Sequence, residues 1–132
     1  MIRRDYNKTG HQVCFMLEKL SPKQIGKYGE KVAGWYYRRL GFTVIGQNLW
    51  TRYGEIDLLL TKGNKILAVE VKTRRNANFG PGEETVSEAK LEHLIHAYHL
   101  LQAELGLPDE FDLEVCVLEI LGQKIKISRW LI

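Results

Sequence analysis

Two acidic residues interrupt runs of sequence that are otherwise typical of buried β-strands. Asp57 lies within Ile56–Leu60 and Glu70 lies within Leu67–Val71, where all the other residues are apolar. Burying an unpaired carboxylate is costly, so a partner must be present. A divalent cation is the most economical partner for two carboxylates that converge. The pattern therefore predicts a metal site, with an ordinary cross-strand ion pair as the alternative.

The spacing within each run adds further functional groups. Side chains two residues apart in a strand share a face, so Lys72 points the same way as Glu70, and Glu55 the same way as Asp57. Lys62-Gly63-Asn64 is typical of a tight turn, which places the two strands side by side. If both acids face the same side, the set suits hydrolysis of a phosphodiester. Mg²⁺ would activate a water that the lysine orients or deprotonates.

The surrounding pattern predicts the elements that position these residues. Capping boxes at Ser21–Gln24 and Thr85–Glu88 begin two helices, which Gly41 and Gly106 end. Apolar residues alternate with Asp112, Glu114 and Cys116 over residues 111–117, which predicts a half-buried strand with Glu114 on its polar face. Strand-like runs occupy residues 42–45, 55–61, 65–73, 111–117 and 124–130. The order α-β-β-β-α-β-β predicts an α/β fold with helices packed on the faces of a mixed sheet.

Length and composition favour one globular domain. The chain has 132 residues, of which 45% are hydrophobic and 27% charged, and no apolar run is long enough to cross a membrane. Residues 1–20 show no clear period and are expected to form an arm, mobile or loosely docked, ahead of a single domain over 21–132.

Two cysteines, Cys14 and Cys116, cannot form a disulfide framework or a four-cysteine zinc site. With no secretory signal visible, a cytoplasmic protein is expected.

Positive charge is concentrated at the start of the chain. Residues 1–52 carry ten Lys and Arg against three Asp and Glu, whereas residues 53–132 carry nine against thirteen. This asymmetry favours contact with a polyanion such as nucleic acid, although a solvated helix face has the same composition. Candidates for phosphate contacts beside the site, each with an ordinary surface role as its alternative, are Arg52, Arg74, Arg75 and Lys90.

Several short motifs, in this order, resemble the YraN-like family. They are Gly29-Glu30, Gly54-Glu55-Ile56-Asp57, Val69-Glu70-Val71-Lys72-Thr73-Arg74, and Phe79-Gly80-Pro81-Gly82-Glu83 followed by Lys90. The resemblance extends from about Gly26 to Val117, and the combination of Gly-Glu-Ile-Asp with Val-Glu-Val-Lys is its most specific part. That largely uncharacterised family is similar to the PD-(D/E)xK restriction-endonuclease-like superfamily, and in particular to archaeal Holliday-junction resolvases.

The resemblance implies a fold, a metal site and a substrate. It implies an α-β-β-β-α-β core and a Mg²⁺ site, which Mn²⁺ could also fill, made by Asp57, Glu70 and the carbonyl of Val71, with Lys72 beside it. Glu30 would add a ligand through water or to a second ion, or would be solvated and paired with a neighbouring lysine. The resemblance favours DNA, in branched or junction form, as the substrate and a homodimer as the assembly. The proline that names the superfamily motif is absent, because Glu55-Ile56 precedes Asp57.

Other functions remain open at this point. A non-catalytic nucleic-acid-binding module could retain the same fold, and a protein-interaction domain could carry the same charged strands as ion pairs. The loop Arg74–Glu84, rich in glycine, could close over a substrate or simply connect two elements. Aromatic residues on the first helix could stack on bases, although at helical spacing they more often belong to a core; these are Trp35, Tyr36 and Tyr37.

Overall fold

The computed structural model describes residues 2–7, 19–75, 86–122 and 124–132. They form two helices and one sheet of six strands. The helices are α1 (Pro22–Arg39) and α2 (Glu88–Leu105), and the strands are β1 (Ile2–Asn7), β2 (Thr43–Thr51), β3 (Gly54–Lys62), β4 (Lys65–Arg74), β5 (Asp112–Leu121) and β6 (Lys124–Leu131). No helix in these ranges is long and apolar enough to cross a membrane.

The sheet is mixed and has the strand order β1-β6-β5-β4-β3-β2. β4 and β5 pair in parallel and are joined through α2, whereas the other neighbouring strands pair antiparallel. From α1 onward the element order is the predicted one. The α/β class and the restriction-endonuclease-like core are therefore confirmed. β2 is longer than predicted and reaches Thr51.

A strand takes the place of part of the predicted N-terminal arm. Ile2–Asn7 pairs antiparallel with β6, from Ile2 opposite Arg129 to Asn7 opposite Lys124. The sequence carries no clear signal for this strand, because an edge strand is held largely by backbone hydrogen bonds to one neighbour. Residues 8–18, the greater part of the expected arm, lie outside the described residues.

α1 begins with the predicted capping box. The backbone amide of Gln24 donates to Oγ of Ser21 at 3.2 Å, and the Ser21 amide donates to the Gln24 side chain at 2.8 Å. Pro22 occupies the first turn, where its missing amide costs no hydrogen bond. The N-cap of α2 is Ser87, whose Oγ accepts from the Lys90 amide at 3.1 Å, so the predicted capping box from Thr85 to Glu88 is wrong. The helix ends at Gly106, whose φ of 68° is in the left-handed region that favours glycine. Local sequence thus determines where both helices begin and end.

Apolar side chains form one core on each side of the sheet. α1 covers one face, and we call this side the α1 layer; α2 covers the other face, which we call the α2 layer. Buried members of the α1 layer include Val32, Tyr37, Leu58, Leu60, Leu67, Val69, Cys116 and Ile127. Buried members of the α2 layer include Ile56, Leu59, Ile66, Ala68, Leu94, Tyr98 and Leu113. The charged residues that the structure buries within its described part are Asp57 and Glu114.

Glu114 is buried with a complete set of partners. Arg129 donates from Nε to Oε1 of Glu114 at 2.8 Å and from a terminal nitrogen to Oε2 at 3.0 Å. The hydroxyl of Tyr37 donates to Oε1 at 2.8 Å, and the Arg129 guanidinium lies 5.1 Å from the centre of the Tyr37 ring. The prediction that Glu114 faces solvent is wrong, because both faces of β5 are covered and Arg129 accompanies the acid into the α1 layer.

Candidate metal centre

The sheet forks at the level of the predicted site. β3 pairs with β4 from Lys62 opposite Lys65 to Leu58 opposite Val69. Beyond that pair β3 continues beside β2, and β4 continues beside β5. Asp57 is the first residue of β3 past the last pair. We call this opening between β3 and β4 the fork.

A shift in side-chain alternation accompanies the fork. Ile56 packs in the α2 layer, whereas Leu58, only two residues later, packs in the α1 layer. The shift therefore falls at Asp57. The register places Asn48 of β2 opposite Asp57, and Asn48 has a φ of 51°. Asparagine tolerates this left-handed conformation better than most residues, and such residues often lie at functional sites.

Asp57 spans the fork with its side chain. Its Oδ2 accepts a hydrogen bond of 2.8 Å from the backbone amide of Val71. Burial raises the pKa of Asp57 to about 7, and the neighbouring carboxylates of Glu70, Glu30 and Glu55 contribute to the increase. The Val71 amide acts in the opposite direction but does not outweigh them. A cation beside Asp57 would favour its charged form and lower this pKa.

Three carboxylates converge at the fork. Glu30 from α1, Glu55 and Asp57 each place one oxygen within 4.8 Å of the other two. We call these three residues the carboxylate cluster. Like charges at this separation repel one another, and hard oxygen ligands are those preferred by Mg²⁺, Mn²⁺ and Ca²⁺. The cluster thus has the donor set of a site for a hard divalent cation.

Close packing of α1 on β4 positions Glu30. A Cβ atom at Gly29 would overlap Oγ1 of Thr73 and would lie 2.8 Å from its Cβ, so a side chain at Gly29 is excluded. The contact holds the next residue, Glu30, over the sheet. A Cβ atom added at Gly26, one turn earlier, would have no neighbour within 4 Å. The close approach is therefore specific to Gly29.

Glu30 has few partners of its own. Its Oε2 lies 3.8 Å from Nζ of Lys27, whose side chain is 55% exposed. Within the described residues this buried oxygen accepts no hydrogen bond. Both sequence-based alternatives thus hold in part, because Glu30 is near Lys27 and also points into the carboxylate cluster.

Glu70 approaches the cluster from the other side of the sheet. Val69 and Val71 pack in the α1 layer and Ala68 in the α2 layer, so alternation places Glu70 and Lys72 on the side of α2. Oε1 of Glu70 lies 3.5 Å from Nζ of Lys90, and its Oε2 is buried without a hydrogen bond among the described residues. Glu70 is close enough to raise the pKa of Asp57 but is not one of the three clustered carboxylates.

The carbonyl of Val71 faces the same opening as its amide. In an extended strand, the N–H and C=O of one residue point to the same side. The Val71 amide donates across the fork to Asp57, so the Val71 carbonyl is directed toward the fork as well. Of the predicted set, Asp57 and the Val71 carbonyl lie at the fork, whereas Glu70 is on the side of α2 and does not share the face of Glu30 and Glu55. Sequence reasoning assigned no ligand role to Glu55, although its position two residues before Asp57 was the available signal.

The predicted phosphate-binding residues surround the same end of the sheet. Arg52 is exposed in the turn between β2 and β3, and Arg75 is exposed directly after β4. Arg74 is half-buried at the end of β4, and Lys90 is held by Glu70. Residues 76–85, most of the loop predicted to close over substrate, lie outside the described residues.

The aromatic residues of α1 are mainly structural. Tyr36 and Tyr37 are buried and pack edge to face, with ring centres 5.5 Å apart. Trp35 is partly exposed, with the Arg39 guanidinium 5.3 Å from its ring centre. The interpretation of the two tyrosines as core residues is therefore confirmed.

Comparison with known proteins agrees with the motif resemblance. Residues 29–117 match the model of a family described as "Uncharacterised protein family UPF0102". This match includes Glu30, the fork and both strands of the predicted site. The resemblance to a YraN-like, uncharacterised family is thereby confirmed.

Individual relatives carry the same description. A UPF0102 protein of Syntrophomonas wolfei is 43% identical over 72 residues, which cover 54% of this chain and 63% of that protein. The UPF0102 protein lpg2994 of Legionella pneumophila is 34% identical over 106 residues, or 80% of this chain and 89% of the relative. One from Chloroflexus aurantiacus is 36% identical over 105 residues, 78% of this chain and 85% of the relative. None of these three names states an activity.

Proposed function

Since the chain belongs to the uncharacterised UPF0102 family, we propose from its candidate site that it is a Mg²⁺-dependent endonuclease acting on DNA. The carboxylate cluster carries this proposal. Each of the three acids places one oxygen within 4.8 Å of those of the other two, and Nζ of Lys27 lies 3.8 Å from Oε2 of Glu30. Mn²⁺ is expected to replace Mg²⁺, because both ions take oxygen ligands.

Residues on both sides of the fork would bind the ion. Asp57, Glu55 and Glu30 would be its ligands, with the Val71 carbonyl completing the set on the β4 side. A bound Mg²⁺ would acidify a water and neutralise charge that develops on the phosphate. The Val71 amide holds Asp57 in place before any ion binds, which reduces the reorganisation that binding requires.

Glu70 and Lys72 would act on the other side of the fork. Both side chains lie on the side of α2, and both are half-buried. Lys72 is suited to orient or deprotonate the attacking water, because partial burial and a nearby ion make the pKa of a lysine easy to shift. Glu70 would complete the ligand set or accept a hydrogen bond from the water.

The neighbouring cations support a nucleic-acid substrate. Arg52, Arg75 and Arg74 lie on the two strands that border the fork or directly beside them. Phosphate contacts of this kind give salt-dependent affinity that is independent of base sequence. A homodimer would bring two such centres to the two strands of a branched DNA, as in the resolvases that the motifs resemble.

Metal binding and cleavage test the proposal separately. We expect Mg²⁺ or Mn²⁺ to raise the melting temperature, with a stabilisation of about 2.7 kcal/mol when the free ion is ~100 times its Kd. Cleavage of branched, single-stranded and duplex DNA is then assayed in the same ions. Asp57→Asn should abolish the stabilisation and lower cleavage roughly 100-fold or more, because a carboxylate ligand is lost.

A matched control separates the site from general charge effects. Glu92→Gln removes one negative charge from an exposed position on α2 and should leave both readouts unchanged. If wild type binds the ions and DNA but does not cut any substrate, the protein is a non-catalytic binding module. If neither ion changes the melting temperature of wild type, the proposed metal site is wrong.

A further inference from the structure

Trp50 is the most exposed large hydrophobic residue among those described, at 77%. It lies near the end of β2, which is one of the two edge strands of the sheet. Its cross-strand partner is Glu55, a member of the carboxylate cluster. Directly opposed residues of an antiparallel pair project from the same face. The indole therefore stands beside the cluster, on the side of the sheet that faces α1.

Along β2, the exposed indole has no exposed large hydrophobic neighbour. The other exposed hydrophobic residue of β2 is Ile45, at 41%. It lies five positions before Trp50 in the strand, or about 17 Å away. A face that joins two copies of a chain is normally contiguous and apolar at its centre, and one isolated indole does not have that character.

A cation lies next to Trp50 in the chain. Arg52 is exposed in the turn that follows β2, and its guanidinium lies 5.0 Å from the ring centre of Tyr53. A terminal nitrogen of Arg52 also donates to the Tyr53 hydroxyl at 3.2 Å. These contacts keep the positive charge at the tip of the hairpin. An aromatic face and a cation thus occupy the border of the carboxylate cluster.

We propose that Trp50 stacks on an unpaired base of the substrate, while Arg52 contacts an adjacent phosphate. The inference rests on the proposed function, because the cluster beside Trp50 would hold the phosphate that is cut. A base within a duplex has both faces covered by its neighbours, whereas an unpaired base presents a free face to an aromatic ring. The substrate class is therefore DNA with single-stranded nucleotides at the point of cleavage, such as a flap.

Binding without metal tests this inference independently of cleavage. Labelled single-stranded, flapped and duplex oligonucleotides of equal length are titrated in EDTA and followed by fluorescence anisotropy. Stacking contributes about 1–3 kcal/mol per base, so Trp50→Ala should weaken binding to single-stranded and flapped DNA roughly 5- to 150-fold. Duplex binding should change less than twofold, and Trp50→Phe should retain most of the affinity.

Two controls make the result specific. Trp35→Ala removes the partly exposed indole of α1 and should leave all three affinities unchanged. The indole fluorescence of wild type should be quenched by single-stranded DNA, and Trp50→Phe should remove this quenching. Because Trp50 is mostly outside the core, its variants should melt within a few degrees of wild type.

Specific outcomes would overturn the inference. Equal losses for duplex and single-stranded DNA, or no loss for either, would exclude recognition of an unpaired base by Trp50. Light scattering that shows a wild-type dimer and a Trp50→Ala monomer would assign the indole to a subunit interface instead. Selective binding through Trp50 without any metal-dependent cleavage would support this inference and contradict the nuclease proposal, so the two can fail separately.

Discussion

Glu114 and Asp57 are both buried acids of the same sheet, but their surroundings differ. Glu114 on β5 receives a forked pair of hydrogen bonds from Arg129 and a third from Tyr37. Asp57 on β3 receives one hydrogen bond, from the Val71 amide, and is surrounded by three further carboxylates. The protein therefore supplies a cation for one acid and gathers more negative charge around the other.

The difference separates a structural charge from a binding site. Hydrogen bonding to Glu114 raises the pKa of Arg129, and burial raises the pKa of Tyr37, so both donors keep their protons. This region is complete without a ligand. Around Asp57, burial and repulsion act together against the charged form, and an external cation would relieve both. The contrast explains why only one of the two acids is a candidate for function.

Removing Arg129 should give the largest effect on stability. Arg129→Met leaves Glu114 buried without its cation, and we expect a loss of about 3–5 kcal/mol in the free energy of unfolding. Urea denaturation measures the loss, with Lys124→Met, at an exposed position on the same strand, as the control. A cost below about 1 kcal/mol would show that Glu114 does not depend on Arg129.

The stability of the metal-free protein should depend on pH through Asp57. Its pKa is raised in the folded state, so the folded protein binds the proton more tightly than the unfolded chain. This contribution is fully present below about pH 4, the range of an unperturbed aspartate, and is lost as pH rises toward 7. We expect a decrease of roughly 2–4 kcal/mol between pH 4 and pH 7.5.

Two further measurements test whether Asp57 causes this decrease in stability. Denaturation in EDTA is repeated with Asp57→Asn, which cannot ionise and should show a flatter profile. Added Mg²⁺ should restore stability to wild type near neutral pH but not to the variant. A wild-type profile that rises over this range would show that the carboxylates around Asp57 do not repel it in solution.

A smaller effect is expected from Gly29→Ala. The new methyl group would overlap the side chain of Thr73, which forces α1 away from β4 at a cost of about 1–3 kcal/mol. Glu30 should move with the helix, so Mg²⁺ affinity should fall. Gly26→Ala is the matched control in α1, and should stabilise by up to about 1 kcal/mol, since no atom is in its way. Equal effects of the two changes would contradict the close contact.

Sequence patterns predicted the parts of the fold that depend on local signals. The capping box at Ser21, the turn at Gly63 and the order of elements from α1 onward are set by residues close together in the chain. Two acids in apolar runs also located the candidate site, because a buried charge is unusual wherever the strand is placed. Sequence patterns can predict any short segment whose conformation is determined by residues close to it in the chain.

Features that depend on distant residues were not predicted. Burial of Glu114 requires Arg129 from another strand, and the strand β1 requires the free edge of β6. The shift in alternation at Asp57 lies opposite Asn48 of β2, whose φ is 51°. Strict alternation along β3 and β4 carried no information on this shift, so the convergence of Glu55 with Glu30 was missed.

The fork between β3 and β4 has a consequence for how an ion enters and leaves the centre. Strands joined by a continuous ladder must break backbone hydrogen bonds before anything passes between them. Here the ladder already ends at Leu58 and Val69, and a side chain bridges the gap. We therefore expect ion exchange to be fast.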